Sequence, residues 1–169
     1  MLKPAFPMAR ASRPQGGVVL FESLVAMLIA MVGILGMASL TVKAASLSGH
    51  AQHRAEAGMF ASQIVQTVAL GVDRSSPEAL QASLQGYSHQ ADGTLCEFSG
   101  TATQSNALAE VLKAARGGVA NVWGLPGATD AMQQVVVDTT AGNRITVTLC
   151  WKGPHDQAPR NYQRHAFVN

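Results

Sequence analysis

Residues 16–42 read GGVVLFESLVAMLIAMVGILGMASLTV, and the only charged side chain in that stretch is Glu22. From Ser23 to Val42 there are twenty residues without a charge. A helix rises about 1.5 Å per residue, so about 20 residues cross a hydrocarbon layer about 30 Å thick. The length predicts a transmembrane helix over about residues 20–42. Upstream lie Lys3, Arg10 and Arg13 with no acid; downstream, Lys43 and Arg54 are followed closely by Glu56. The cationic excess on the short N-terminal side places that end in the cytoplasm and the bulk of the chain across the membrane.

A cleaved secretory signal has an apolar region of only about 7–15 residues and an A-x-A-like site. This run is longer and carries an acid near its start. An uncleaved anchor fits the length but gives Glu22 no task. A carboxylate in mid-membrane costs about 2.5–3.5 kcal/mol on insertion scales, so such a residue usually has a partner.

Gly17 stands directly before an apolar residue, and Glu22 is the fifth residue after it. A basic leader, Gly, an apolar first mature residue, Glu at mature position five and a continuous apolar helix together resemble the type IV prepilin signature. Val18 stands where Phe or Met is commoner. The resemblance implies a leader over residues 1–17, removed by prepilin peptidase between Gly17 and Val18, and N-methylation of Val18. It implies that Glu22 sets the assembly register. An isolated carboxylate in an apolar filament core is costly, and the α-amino group of a neighbouring subunit neutralises it.

Residues 31–40, MVGILGMASL, resemble the "GLLG-L-A-L" stretch of PilV-type minor pilins. Gly33 and Gly36 are three apart, which is not GxxxG spacing. Each lowers helix propensity by about 1 kcal/mol.

From Lys43 to about Leu70 the chain turns amphipathic, with Ala44, Leu47, Ala51, Ala55, Met59, Ile64, Val65 and Val68 approximating one helical face. No Pro interrupts Val18 to Gly71, so the sequence predicts one long helix over residues 18–70 with Gly71 as its stop. Ser75 and Glu78 stand at capping-box spacing ahead of a short helix over Pro77–Gln85.

Residues 71–169 are expected to form a small globular domain. Asn106–Arg116 reads as a helix stopped by Gly117-Gly118. Trp123-Gly124-Leu125-Pro126-Gly127 resembles the "LPGG" turn before the terminal strands of PilV-like proteins, with Ala128 in place of the second Gly. Gln133–Thr139 and Arg144–Trp151 read as a hairpin through Ala141-Gly142-Asn143. Alternation puts Ile145, Val147, Leu149 and Trp151 on one face and Cys150 on the other. Arg164–Val168 is a candidate third strand, and Leu95 and Phe98 around Cys96 a candidate fourth.

Cys96 and Cys150 are the only cysteines, and the topology places both where disulfides persist. A Cys96–Cys150 bond is the expectation, with two buried thiols as the alternative.

Of the 169 residues 47% are hydrophobic and 13% charged, against about 25% charged in ordinary domains, which excludes a charge-rich disordered chain. Loss of the leader removes three of twelve basic residues, leaving nine against ten acids. With no Lys/Arg cluster, a nucleic-acid surface is not expected. His50 and His53 are three apart but lack a third ligand at metal spacing. No paired carboxylates, nucleophile elbow or phosphate loop occurs, so neither enzyme activity nor a cofactor or metal is expected.

The reading is an α+β, pilin-like chain: a long helix, transmembrane in its first half, against a small antiparallel sheet. The resemblance implies a minor pilin that primes or modulates filament assembly and so supports twitching, adhesion or DNA uptake. Its implied partners are prepilin peptidase, other minor pilins, the major pilin and a candidate tip adhesin. Its implied place is the inner membrane, with the domain periplasmic, and then the pilus. A minor pseudopilin of a type II secretion system shares the N-terminal pattern; the Gly33–Gly36 stretch and terminal strands lean toward pili. A membrane-anchored periplasmic binding module is the alternative from another class.

Overall fold

The structure is a computed structural model that describes residues 16–169. Most of the expected leader therefore lies outside the described residues. The elements run α1 (Gly16–Gly71), α2 (Pro77–Gln85), β1 (Asp92–Thr94), β2 (Glu97–Ser99) and α3 (Asn106–Ala115). A 3-10 turn (Asp130–Met132) then leads into β3 (Gln133–Asp138), β4 (Arg144–Trp151) and β5 (Arg160–Phe167). The chain divides into two compact units, one ending at Leu47 and one from Ser48 to Asn169. The second unit thus includes the C-terminal part of α1 as well as the globular domain.

In the first unit α1 carries its apolar side chains exposed, Val18 to Val42 among them. Its hydroxyls are satisfied within the helix. Ser23 Oγ donates to Leu20 O at 2.9 Å, Ser39 Oγ to Gly36 O at 2.8 Å and Thr41 Oγ1 to Met37 O at 2.8 Å. Such back-bonding is what a hydroxyl needs where no water is available.

The second unit is α+β. A three-stranded antiparallel sheet of order β3-β4-β5 shares one core with the end of α1, with α2 and with α3. Ala57, Ala61, Ile64 and Val68 of α1 are buried at steps of four, three and four residues, one helical stripe. They meet Ile145, Val147, Leu149 and Trp151, the predicted inward face of β4. Leu80 and Leu84 of α2 and Leu108 and Leu112 of α3 close the core. Each fully buried Leu or Ile contributes about 1.5–3 kcal/mol.

The stripe differs from the predicted one. Leu47 and Met59 are 69% and 65% exposed, and Ala51 and Ala55 are exposed too. Ala57, Ala61, Ile64 and Val68 are all fully buried and mark the stripe, and Gly58 lies beside the Tyr162 ring, with room for a Cβ at 3.5 Å. Leu47 and Met59 lie off that stripe.

Helix α1 does end at Gly71. A Cβ at that position would overlap the Tyr87 hydroxyl, so the close approach of Tyr87 favours Gly there. The cap of α2 is Ser76 rather than Ser75, because Ser76 Oγ accepts from Ala79 N at 3.1 Å and Pro77 fills the first helical position. The Ser75 N–H instead donates to Asp73 Oδ1 at 2.8 Å. Helix α3 starts from Ser105, whose Oγ accepts from Leu108 N, and ends where Gly117 takes φ +75° and Gly118 N donates to Lys113 O.

The hairpin forms with Val135 opposite Val147 and Asp138 opposite Arg144. Gly142 and Asn143 both take positive φ, 69° and 54°, as its turn requires. Asp138 closes the loop, accepting from Thr140 N, Thr140 Oγ1 and Ala141 N on Oδ1 and from Arg144 on Oδ2. The Thr140 side-chain bond is the main cause that holds its carboxyl below the usual range. The third strand begins at Arg160, four residues before the predicted start, and pairs with β4 along all of β4. Its polar sequence, RNYQRHAF, hid it: an edge strand needs no two-sided apolar pattern. The fourth candidate is half of a separate hairpin, β1 with β2, and Leu95 is in its turn, not in a strand.

Candidate membrane and assembly site

Val18, Phe21, Glu22, Val25, Ala26 and Ile29 line one open groove on α1, the spacing of one helical face. Gly17 and Val18 lie in the helix, with Val18 one turn before Glu22. The groove therefore presents a lone carboxylate among exposed apolar side chains. In water that arrangement costs little. In lipid or in a packed helix bundle it demands a cation, because an ionised carboxylate removed from water without a partner is strongly disfavoured.

Gly33 and Gly36 have open space around them: an added Cβ at either would meet no atom within 4 Å. Among the described residues nothing requires glycine there.

In the second unit Cys96 and Cys150 form a disulfide, with Cα atoms 5.5 Å apart and a sequence separation of 54. Alternation along β4 sends Cys150 away from the Leu149 face, as expected, into a small second cluster with Cys96 and Phe98, against which Met132 packs. Cys96 is in the β1–β2 turn at φ +67°. The bond thus ties that hairpin to the back of the sheet. In the chain-entropy account a loop of this length stabilises by about 4 kcal/mol.

The turn at Leu125–Ala128 sits between α3 and the end of β4. Leu125 N donates to Ala115 O at 2.7 Å, and Lys152 N donates to Pro126 O at 2.9 Å. Gly127 takes φ +60° with the Lys152 carbonyl where a Cβ would be. Ala128 does not take positive φ and packs against the main core, so the missing second glycine is structurally accounted for. Trp123 beside it is 93% exposed.

The two histidines of α1 have separate contacts. His53 Nδ1 lies 3.1 Å from Glu56 Oε2, and His50 Nε2 accepts from Arg160 Nη2 at 3.2 Å. Burial alone would raise the Glu56 carboxyl, but hydrogen bonds from Gln52 and His53 bring it below its ordinary value. Among the described residues no three His, Cys, Asp or Glu side chains gather as a metal site would need.

Sequence reasoning missed His89. It is buried and extends the sheet by one antiparallel bridge to Val135. Nothing local in Ser88-His89-Gln90 signals a strand; the bridge exists because β3 offers a free edge. The exposed apolar helix, the antiparallel sheet and the disulfide together make a pilin-like architecture. No family model, curated protein or solved structure matches the chain.

Proposed function

We propose that the chain is a minor pilin of the type IV pilus, PilV-like, which primes or modulates filament assembly. The observation that carries this reading is Glu22, the single acid in an exposed apolar groove, one helical turn after Val18. Prepilin peptidase cuts between Gly17 and Val18, and Val18 is then the residue methylated. The new α-amino group of one subunit pairs with Glu22 of another. Any other axial offset leaves a charge unpaired, so the pair fixes register.

The helix is stored in the inner membrane with the domain in the periplasm and then moves into the filament core. The domain supplies lateral contacts to other minor pilins, to the major pilin and to a tip adhesin. The chain is a substrate of the peptidase and not itself an enzyme.

Mass measurement of the chain made with and without the cognate peptidase tests the reading. A product beginning at Val18 only when the peptidase is present supports it; retention of residues 1–17 overturns it. Glu22→Ala should insert in the membrane normally but enter filaments poorly. The same architecture serves a minor pseudopilin of type II secretion, and recovery with a secretion complex in place of sheared pili would decide for that reading.

A further inference from the structure

Within the second unit, a cavity of about 210 Å³ is lined by His50, Ala51, Arg54, Trp151, Arg160 and Asn161. It is smaller than the roughly 300 Å³ at which pockets for drug-sized ligands begin, and suits a single side chain. Both arginines of its lining already have contacts within the chain. Asp156 Oδ1 accepts from Arg160 Nε at 2.9 Å and so fixes one edge of that guanidinium, while Nη2 donates to His50 at 3.2 Å. The Arg54 guanidinium is held 5.7 Å above the centre of the Tyr162 ring. Trp151 is 2% exposed, and its Nε1–H has no acceptor among the described residues. A buried donor without an acceptor carries a cost of about 1–3 kcal/mol.

Two arginines on the lining of one small pocket, Arg54 with no carboxylate partner among the described residues, favour an anion with a planar pair of acceptor oxygens. The guanidinium fork matches a carboxylate bidentately. The Ala51 methyl and the Trp151 ring give an apolar wall for the short stem of such a side chain. Strand β5, which carries Arg160 and Asn161, is the sheet's edge and holds no acid in its eight residues. Arg160 is already ion-paired with Asp156, so the charge left to select an acidic visitor at this sheet edge is that of Arg54.

We propose that this cavity receives an aspartate or glutamate side chain of a neighbouring filament subunit, bound by Arg54 and Arg160 against Trp151. The proposal rests on the pilin reading and names the chemistry of one lateral contact.

The test uses the full chain in filament-producing cells, with a photo-cross-linking p-benzoylphenylalanine in place of Asn161. Sheared fibres and membrane fractions are analysed by mass spectrometry. The expected adduct joins another pilin-class subunit within a few residues of an Asp or Glu. Its yield should fall at least tenfold in an Arg54→Gln/Arg160→Gln variant and stay unchanged in Arg164→Gln, whose native guanidinium contacts Ser62 instead. Protease resistance and the Cys96–Cys150 bond should match in all variants, which separates lost contact from lost fold. An adduct to phospholipid, an adduct in a segment without acids, or a yield indifferent to Arg54 and Arg160 overturns the inference. Incorporation into fibres without any adduct overturns it alone; absence from fibres and from initiating complexes overturns the pilin reading with it.

Discussion

Leu149 and Cys150 are adjacent on β4 and bury into different clusters, Leu149 into the main core under α1 and Cys150 into the disulfide cluster on the other face. The domain thus has two separately stabilised faces. Cys96→Ser/Cys150→Ser should cost about 2–5 kcal/mol in unfolding free energy. The loss should be local in its dynamics. Amide exchange over residues 91–100 should quicken far more than exchange in β4, whose main core does not include the sulfurs. Uniform acceleration across the sheet, measured on the full chain in detergent micelles, would show that the two faces are not independent.

His89 sets a second expectation, on pH. Its Nδ1 accepts from Thr103 N at 3.3 Å, so the neutral ring carries its proton on Nε2. Protonating Nδ1 would place one N–H against another. Burial is the main cause that pushes its pKa below the ordinary value; nearby Asp130 raises it and Arg116 lowers it. A histidine depressed in the fold binds fewer protons folded than unfolded below about pH 6.5, so stability falls as pH drops through that point. Above it the contribution is complete and flat. The lowered carboxyls of Glu56, Asp73, Asp138 and Asp156 act only at about pH 5 and below. Urea midpoints between pH 5 and 7.5 should therefore decline toward acid in the native chain, and His89→Gln should flatten that decline. An equal decline in both chains would assign it elsewhere.

Gly127 and Ala128 should respond unequally to exchange of their side chains. Gly127→Ala forces a Cβ into the left-handed region and against the Lys152 carbonyl. The backbone strain alone is about 1–3 kcal/mol, and the Lys152-to-Pro126 hydrogen bond is put at risk. Ala128→Gly should cost only about 0.4–1 kcal/mol, mainly through unfolded-chain entropy. Thermal unfolding of the two variants checks the order; a larger loss for Ala128→Gly would contradict the role given to the turn.

What was legible in the sequence follows from period and punctuation. The Pro77–Gln85 helix and the Arg144–Trp151 strand are each carried by local pattern and have the bounds expected; the twenty uncharged residues lie inside α1. The exchange of Ser75 for Ser76 as cap was decided by which hydroxyl reaches Ala79, which spacing alone does not show. The α1 stripe held at Ile64, Val65 and Val68 but was misplaced before them, because an apolar count weights Leu47 and Met59 above Ala57 and Ala61, which the core buries. Strand β5 and the His89 bridge are set by the free edges of their neighbours, a tertiary fact. The cavity at Arg54 and Arg160 joins positions more than a hundred residues apart, so no motif could announce it.

The glycines at 33 and 36 give the last expectation. An added methyl meets nothing within 4 Å at either position, so Gly33→Ala and Gly36→Ala should not disturb the isolated chain. Each should favour the helical state by about 1 kcal/mol, since Ala replaces the residue with the weakest helix preference apart from Pro. In detergent micelles, amide exchange across residues 30–40 should be faster than in the flanking helix for the native chain and should slow in the double variant. Membrane insertion should be unchanged, because the run only becomes more apolar. Any fall in filament incorporation would then arise from packing between subunits, where a methyl can clash or where the helix must loosen. Uniform protection across residues 30–40 in the native chain would leave the glycines no part in loosening the helix and reduce them to ordinary small residues.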